Sequence, residues 1–320
     1  MELILQPQIY PNTPMTPHEH ARISYGEQWN ALLSKKHNAL KPYITYDGTA
    51  SGRYHTVEQY GELELEEKTA RHENKPAIEL PTARRFMFPK SFNQKVKFDE
   101  DDGWKLDRLG VPMPQAAKRL MEAGERKMED IIFAGMLDTA TIGAGAEEAM
   151  STIALPSSQI VAVNITGANT GLTARKIREG VRIFMENDAW GQDSVLDGPD
   201  QLCLAASPKS LLNLWNEAIV TSSDFRSFTG GKPFDTGILE TFFGVKLLVT
   251  TGLKERKTGN IQDIPMWLKS KVVLGDWKKA ETDVWRDRDT GGDRIRFKFT
   301  AGATRLEEKG VVIIKADESV

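Results

Sequence analysis

The sequence predicts an α+β fold, on three observations. From residue 112 to about 142, apolar residues recur at three- and four-residue steps, the repeat of a long amphipathic helix. Before it, Glu62-Leu63-Glu64-Leu65-Glu66 alternates with the period of two that marks a strand with one apolar side. After it, helical and strand-like stretches mix, and from about residue 263 the pattern is mostly strand.

Composition bounds the function before any motif does. An apolar fraction of 40% and a charged fraction of 27% are those of a folded globular chain. The 42 Lys and Arg residues lie scattered among 45 Asp and Glu, for a formal net charge of −3. Proteins that grip nucleic acid concentrate cations to displace counterions from phosphate, so tight non-specific DNA binding is disfavoured. The longest apolar runs, such as Val311-Val312-Ile313-Ile314, are strand-length and too short to cross a bilayer. Met1-Glu2-Leu3-Ile4 carries no basic leader, so no secretion signal is expected. Cys203 is the single cysteine, which excludes an intrachain disulfide framework and suits a reducing compartment.

Residues 1 to about 55 read as an arm. Pro7, Pro11, Pro14 and Pro17 interrupt regular structure, because proline fixes φ and has no amide to donate. Thr16-Pro17 offers an N-cap followed by proline at the first helical position. The helix expected from there to about Asn38 carries Ile23, Trp29, Leu32 and Leu33, too few to build a core. Residues 45–52 read as a turn-rich joint.

Residues 56–102 read as charged strands. The acidic limb at 62–66 leads to a polar tip at 71–76, and Phe86-Met87-Phe88-Pro89 and Val96-Lys97-Phe98 return. The returning limb is basic, with Arg84, Arg85, Lys90, Lys95 and Lys97. A hairpin with so little apolar content has no core of its own, so it should project and be held down by something else. The helix beginning at Pro112 aligns Met113, Ala117, Leu120, Gly124, Met128, Ile131 and Gly135 on one stripe. Lys118, Arg119, Glu122, Glu125, Arg126 and Glu129 fall opposite. At 1.5 Å per residue it would run about 40 Å, enough to form the backbone of an elongated subunit.

Beyond the small-residue linker Gly143-Ala144-Gly145-Ala146, residues 157–163 are an expected strand. Thr173 is an N-cap, with Leu172 and Ile177 placed as a hydrophobic staple across it. The helix it opens should bury Ile177, Val181, Phe184 and Met185. Residues 201–206 read as a buried strand, and Ser207-Pro208 starts a helix whose inner face is Leu211, Leu212 and Trp215. Residues 225–237 read as a loop, 245–250 as a strand and 271–274 as another. Ile295, Phe297 and Phe299 then alternate with Arg294, Arg296 and Lys298, and Glu307-Glu308-Lys309-Gly310 reads as a hairpin turn before the closing strand.

A search for chemistry finds no convergent set. His18-Glu19-His20 lacks further ligands, and residues two apart do not share a helix face. Asp99-Glu100-Asp101-Asp102-Gly103 resembles the start of a calcium loop, but the twelfth position holds Gly110 where a bidentate glutamate is needed. Gly143-Ala144-Gly145 lacks the third glycine of a dinucleotide fingerprint, and Glu147-Glu148 would repel phosphate. Gly230-Gly231-Lys232 is followed by Pro233, where a phosphate loop has Ser or Thr. Asp287, Asp289 and Asp293 surround Gly291-Gly292 and read as a hairpin tip, while Cys203 reads as a buried structural thiol. No catalytic residue, cofactor or metal site is expected.

The order of these parts resembles the major capsid proteins of tailed bacteriophages, which share the Hong Kong 97 fold. The likeness spans nearly the whole chain. It is strongest at Arg126-Lys127-Met128-Glu129-Asp130-Ile131-Ile132, in the stretch from Ala206-Ser207-Pro208-Lys209 through Val220-Thr221-Ser222-Ser223-Asp224-Phe225, and at Phe243-Gly244-Val245-Lys246. Ala301-Gly302-Ala303-Thr304-Arg305 adds to it. The resemblance implies an N-terminal arm at 1–55, an extended hairpin or E-loop at 56–104, and a P domain with its spine helix at 105–165. An A domain at 166–262 and P-domain return strands at 263–320 complete it. The implied function is a structural shell subunit that assembles into hexamers and pentamers around DNA, with charges on the hairpin and the spine pairing between subunits.

Two departures from the type member bear on partners. Only about 55 residues precede the hairpin, where the type member has a long scaffolding segment, so a separate scaffolding protein is expected, beside a portal and decoration proteins. The type member also crosslinks a hairpin Lys to a P-domain Asn. Lys68 and Lys75 could supply the amine, but no Asn follows Asn260. The alternative within the same fold is an encapsulin-like shell around protein cargo, and the proline-rich arm favours the phage reading. A small-molecule enzyme would leave the charged hairpin unexplained.

Overall fold

The structure is a computed structural model that describes residues 35, 37–65, 67–68, 77–102, 112–143, 150–165, 167–190, 200–217, 241–289 and 291–319. The helix expected after Thr16, the tip at 71–76 and the loop at 225–237 lie outside these residues. The chain divides into two compact units. The larger is made of His37–Ser91, Glu125–Lys279 and Thr300–Val320, and the smaller includes Phe92–Gly124 and Ala280–Phe299.

The larger unit is built on a seven-stranded sheet. Its order is β7 (Ile160–Val161), β15 (Val311–Asp317), β12 (Ile261–Leu268), β8 (Leu202–Ala206), β10 (Val245–Val249) and β9 (Thr241–Phe242), with β11 (Lys257–Thr258) pairing on β12. Pairing is mixed: β8 runs parallel to β10 and β7 parallel to β15, while β12 is antiparallel to both β8 and β15. Every residue of β8 is buried, so its five residues read as an unbroken apolar run rather than an alternation. One face of the sheet, through Leu204, Leu247, Met266 and Ile314, packs in a single core with helices α2 (Ala174–Glu186) and α3 (Pro208–Trp215). On the other face Trp267 is buried and its indole donates to Tyr43 O at 2.9 Å.

Both helices start where the local sequence dictates. The Thr173 hydroxyl accepts from Lys176 N at 3.3 Å, and Ser207 accepts from Ser210 N at 3.0 Å with Pro208 inside the first turn. Ile177, Val181 and Phe184 are buried and Leu211 and Trp215 pack against the core as expected, but one residue on each helix departs from the expected face. Ile183 is buried while Met185 is half exposed, and on α3 Leu214 is buried while Leu212 faces solvent. The expected strand at 157–163 is a short 3-10 turn, Ser157–Gln159, followed by the two-residue β7. Residues Glu307–Gly310 do not form a hairpin turn. They carry the chain from β14 (Asp293–Arg305), in a different sheet, to β15 between β7 and β12.

Lys176 lies inside this core and has no exposed surface. Its Nζ donates to Thr170 O at 2.6 Å and to Lys315 O at 2.9 Å. Burial pushes its ammonium down to about 8, against the opposing attraction of Asp317. Below that pH both folded and unfolded chains hold the proton, and the burial penalty is fully present. Between about 8 and the unfolded value of 10.5 the unfolded chain binds more protons, so this residue's contribution to stability rises with pH. Melting curves at about pH 7 to 10 should show this upward component in the native chain and lose it in Lys176→Met.

A second sheet of the larger unit is wholly antiparallel, in the order β2 (His55–Tyr60), β3 (Thr82–Met87), β5 (Ala140–Gly143) and β6 (Met150–Ile153). Helix α1 (Met113–Leu137) has 25 residues, about 37 Å. It stops short of the expected end because β5 takes Thr141 and Ile142 into the sheet. Its second half is buried around Ile131, Ile132, Phe133 and Met136, so Glu129, expected on the polar side, is also buried and accepts from the Thr250 hydroxyl.

A four-stranded sheet has the order β1 (Thr45–Asp47), β13 (Val272–Arg286), β14 and β4 (Lys90–Lys97). Part of the expected joint at 45–52 is therefore a strand, parallel to β13. Within the smaller unit, Ile295, Phe297 and Phe299 are buried as their alternation predicts, and Phe92 stacks on Phe299 at 5.3 Å. Gly124 of α1 lies against the Phe297 ring, where any Cβ would collide. Glu122, expected on the polar side, is buried and paired with Arg119 at 2.8 Å. Across the opposite face of the sheet, Arg296 and Lys298 meet Asp283 at 2.6 and 3.2 Å. Among the described residues no helix is long and apolar enough to cross a membrane.

Candidate assembly surface

The hairpin is regular only at its base. β2 and β3 pair from His55↔Met87 to Tyr60↔Thr82, and Gly61 N donates to Pro81 O at 2.8 Å to close the ladder. Beyond that point none of residues 61–65 is in a strand, so the expected acidic strand does not form over the described residues. Its alternation has no partner strand to place one side on a core. Leu65 is fully exposed, at 101%, and Leu63, Ile78 and Leu80 also face solvent beside Glu62, Glu64 and Glu79. Large apolar side chains exposed in one stretch of chain make it a candidate surface for meeting another molecule.

The base, in contrast, is anchored. Phe86 and Met87 are buried, and Tyr54 packs edge-on against Phe86 at 5.3 Å. Arg84 pairs with Glu58 across the hairpin at 2.7 Å, so this cation has a partner within the subunit. The neighbouring Arg85 turns inward and donates to Glu308 Oε2 at 2.7 Å. Gln59 reaches the same segment, donating to Leu306 O at 3.0 Å.

Arg305 completes this anchor with no exposed surface. Its guanidinium donates to Met136 O at 3.1 Å, to Asp138 O and to Ile153 O at 2.8 Å. It thereby satisfies carbonyls that the end of α1 leaves without intrahelical donors. Burial lowers its pKa, and Glu308 opposes that shift. The segment 305–308 therefore ties together α1, β6 and both hairpin strands. Nothing local in the sequence announces this: the single useful signal is an arginine two residues after the apolar-and-small run Ala301-Gly302-Ala303.

A second exposed apolar surface lies beside α2. Val181, Met185, Trp190 and Phe243 line a groove flanked by Arg178 and Arg182. Phe243 takes a left-handed backbone, φ 51°, followed by Gly244 at φ 77°, in the turn between β9 and β10. That conformation is costly for a bulky residue. It leaves the ring 46% exposed, with the Arg178 guanidinium 5.6 Å from its centroid.

A family model for phage capsid protein matches residues 18–318. The chain belongs to this family. Solved structures agree on the fold. The capsid asymmetric unit of cyanophage Pam1 aligns with a TM-score of 0.68 at 11% identity, over 93% of this chain and 96% of that one. The head structure of Helicobacter pylori bacteriophage KHP40 gives 0.66 at 9% identity, over 98% and 99%. The acid-stable capsid of Helicobacter pylori bacteriophage KHP30 gives 0.67 at 10%, over 92% and 95%. No curated protein matches the sequence. The fold is the Hong Kong 97 type expected from the sequence, and nothing in these likenesses favours the encapsulin-like alternative.

In this capsid protein the residues considered for chemistry are placed as follows. His18-Glu19-His20, Gly230-Gly231-Lys232, Lys75, Ala144 and Gly145 lie outside the described residues. Asp99 and Asp102 form a self-capped turn, in which Asp102 Oδ2 accepts from Asp99 N at 3.0 Å. Asp287 is paired with Arg294, and its amide donates to Gly292 O at 2.9 Å within the turn before β14. Burial pushes the Cys203 thiol up to about 12, which leaves it inert as a nucleophile. Among the described residues no three His, Cys, Asp or Glu side chains gather as a metal site.

Proposed function

We propose that this chain is the major shell subunit of a tailed-phage head, acting by self-association rather than catalysis. Copies join as hexamers and pentamers that close an icosahedral shell around packaged DNA in the host cytoplasm. The observation that carries this reading is the hairpin: a base locked into the subunit supports a stretch of exposed Leu63, Leu65, Ile78 and Leu80 that has no use inside it. In this reading residues 1–55 are the arm, 56–104 the E-loop and 105–165 the first part of the P domain. The A domain spans 166–262, and 263–320 return toward the P domain, with β12 and β15 also completing the sheet beside β8. A separate scaffolding protein, a portal and decoration proteins are the expected partners. A subunit of net charge −3 suits a container through which DNA slides without sticking.

Electron microscopy of the protein expressed with its scaffold tests this directly. Closed shells or free capsomers are the expected result, and a compact monomer unchanged by the scaffold would overturn it. Particles boiled in denaturant should run as one band at the monomer mass of 35.8 kDa. Lys68 is exposed and could offer an amine, but no Asn stands between residue 261 and the end to accept it. A reducing-agent-resistant ladder of dimers to hexamers would contradict the absence of crosslinks and leave the shell reading intact.

A further inference from the structure

Glu308 serves two buried arginines with one carboxylate. Oε2 accepts from Arg85 Nη2 at 2.7 Å, while Oε1 stands 3.6 Å from Arg305 Nε, beyond hydrogen-bond reach. Arg85 Nη1, Arg305 Nε and Glu308 Oε1 are each buried without a partner. Unmade bonds of this kind are costly, and here two donors and an acceptor lie within one side-chain movement of each other.

Glu308 has the most exposed side chain of the trio. Arg305 is held by the carbonyls of Met136, Asp138 and Ile153. Glu308 lies in the short 3-10 segment between β14 and β15, with its side chain partly exposed, and a shift of about 1 Å would bring Oε1 into bonding distance of Arg305 Nε. Arg85 belongs to the hairpin strand β3. We propose that Glu308 is a two-position latch: paired with Arg85 it fixes the hairpin base, and passed to Arg305 it frees that base to tilt. In the second position the carboxylate remains satisfied, Arg85 turns toward water, and the Gln59 bond to Leu306 O is the remaining tie to this segment. The inference does not depend on shell assembly and is read on the isolated subunit.

The test is an asymmetry between two variants of the full chain. In Arg85→Met the carboxylate has Arg305 to fall back on, so the protein should fold with a melting temperature only slightly lowered. Amide exchange over 55–60 and 82–87 should rise at least about tenfold, while exchange over 311–317 stays unchanged. In Glu308→Gln both guanidinium groups lose the carboxylate they share, and the melting temperature should fall by on the order of 10 °C, or folding should fail. Arg85→Met as damaging as Glu308→Gln would show that Glu308 has no second position. Unchanged hairpin exchange in Arg85→Met, or a uniform rise across the subunit, would equally overturn the latch.

Discussion

Replacing residues 62–80 with Asn-Gly should leave a folded subunit that no longer forms shells. The cut is set by the structure: Gly61 and Pro81 are already joined by a 2.8 Å hydrogen bond, so a two-residue turn can close the β2–β3 ladder without strain. Every deleted residue that is described is exposed and none belongs to the core, so the melting temperature should stay within a few degrees of the native value. Assembly, followed by electron microscopy with scaffold present, should be lost completely. A cut that runs on through Phe86 should behave differently. It removes Arg85 and Phe86, both buried, together with the strand that joins β2 to β5, and the base of the hairpin should come apart. If the short deletion still assembles normal shells, the hairpin tip is not an assembly surface.

Arg305→Ala should be the most damaging single change in the larger unit. It removes three hydrogen bonds to carbonyls of α1, the turn after it and β6, and it strips Glu308 of one of its two cations. Breaking a buried charged network costs about 3–5 kcal/mol, a large share of the stability of any domain. A fall in melting temperature on the order of 10 °C, or recovery only as insoluble protein, is the expected result. Arg84→Ala provides the contrast. Its pair with Glu58 is more than a third exposed on both sides, and loss of a solvent-screened pair should cost about 0–1 kcal/mol. Equal effects from the two substitutions would mean that the segment 305–308 is not the anchor described here.

Much of the scaffold was legible because it rests on local rules. The three- and four-residue steps of α1 through Leu120, Gly124, Met128 and Ile131, the caps at Thr173 and Ser207, and the alternation of Ile295, Phe297 and Phe299 each depend on neighbours a few residues away. The ordered series of such elements was also enough to suggest the capsid family and to expect a hairpin without a core. The proposed assembly surface was legible in composition but not in structure. Glu62 to Glu66 has the period of a strand, and a strand needs a partner that the described residues do not provide.

What only the tertiary structure decided is which polar residues lie inside and which apolar ones outside. Glu129 falls on the polar side of a helical wheel, yet it is almost wholly buried and Thr250, more than a hundred residues away in sequence, supplies its hydrogen bond. Met185 and Leu212 fit apolar stripes but face solvent, because Ile183 and Leu214 meet the sheet instead. Val311–Asp317 enters the sheet between β7 and β12, and no pattern within the strand could name those partners. Arg85 meets Arg305 and Glu308 only because two segments more than two hundred residues apart in sequence converge. Periodicity and capping are properties of a short stretch of chain, whereas burial and strand pairing are properties of contacts between stretches far apart in it.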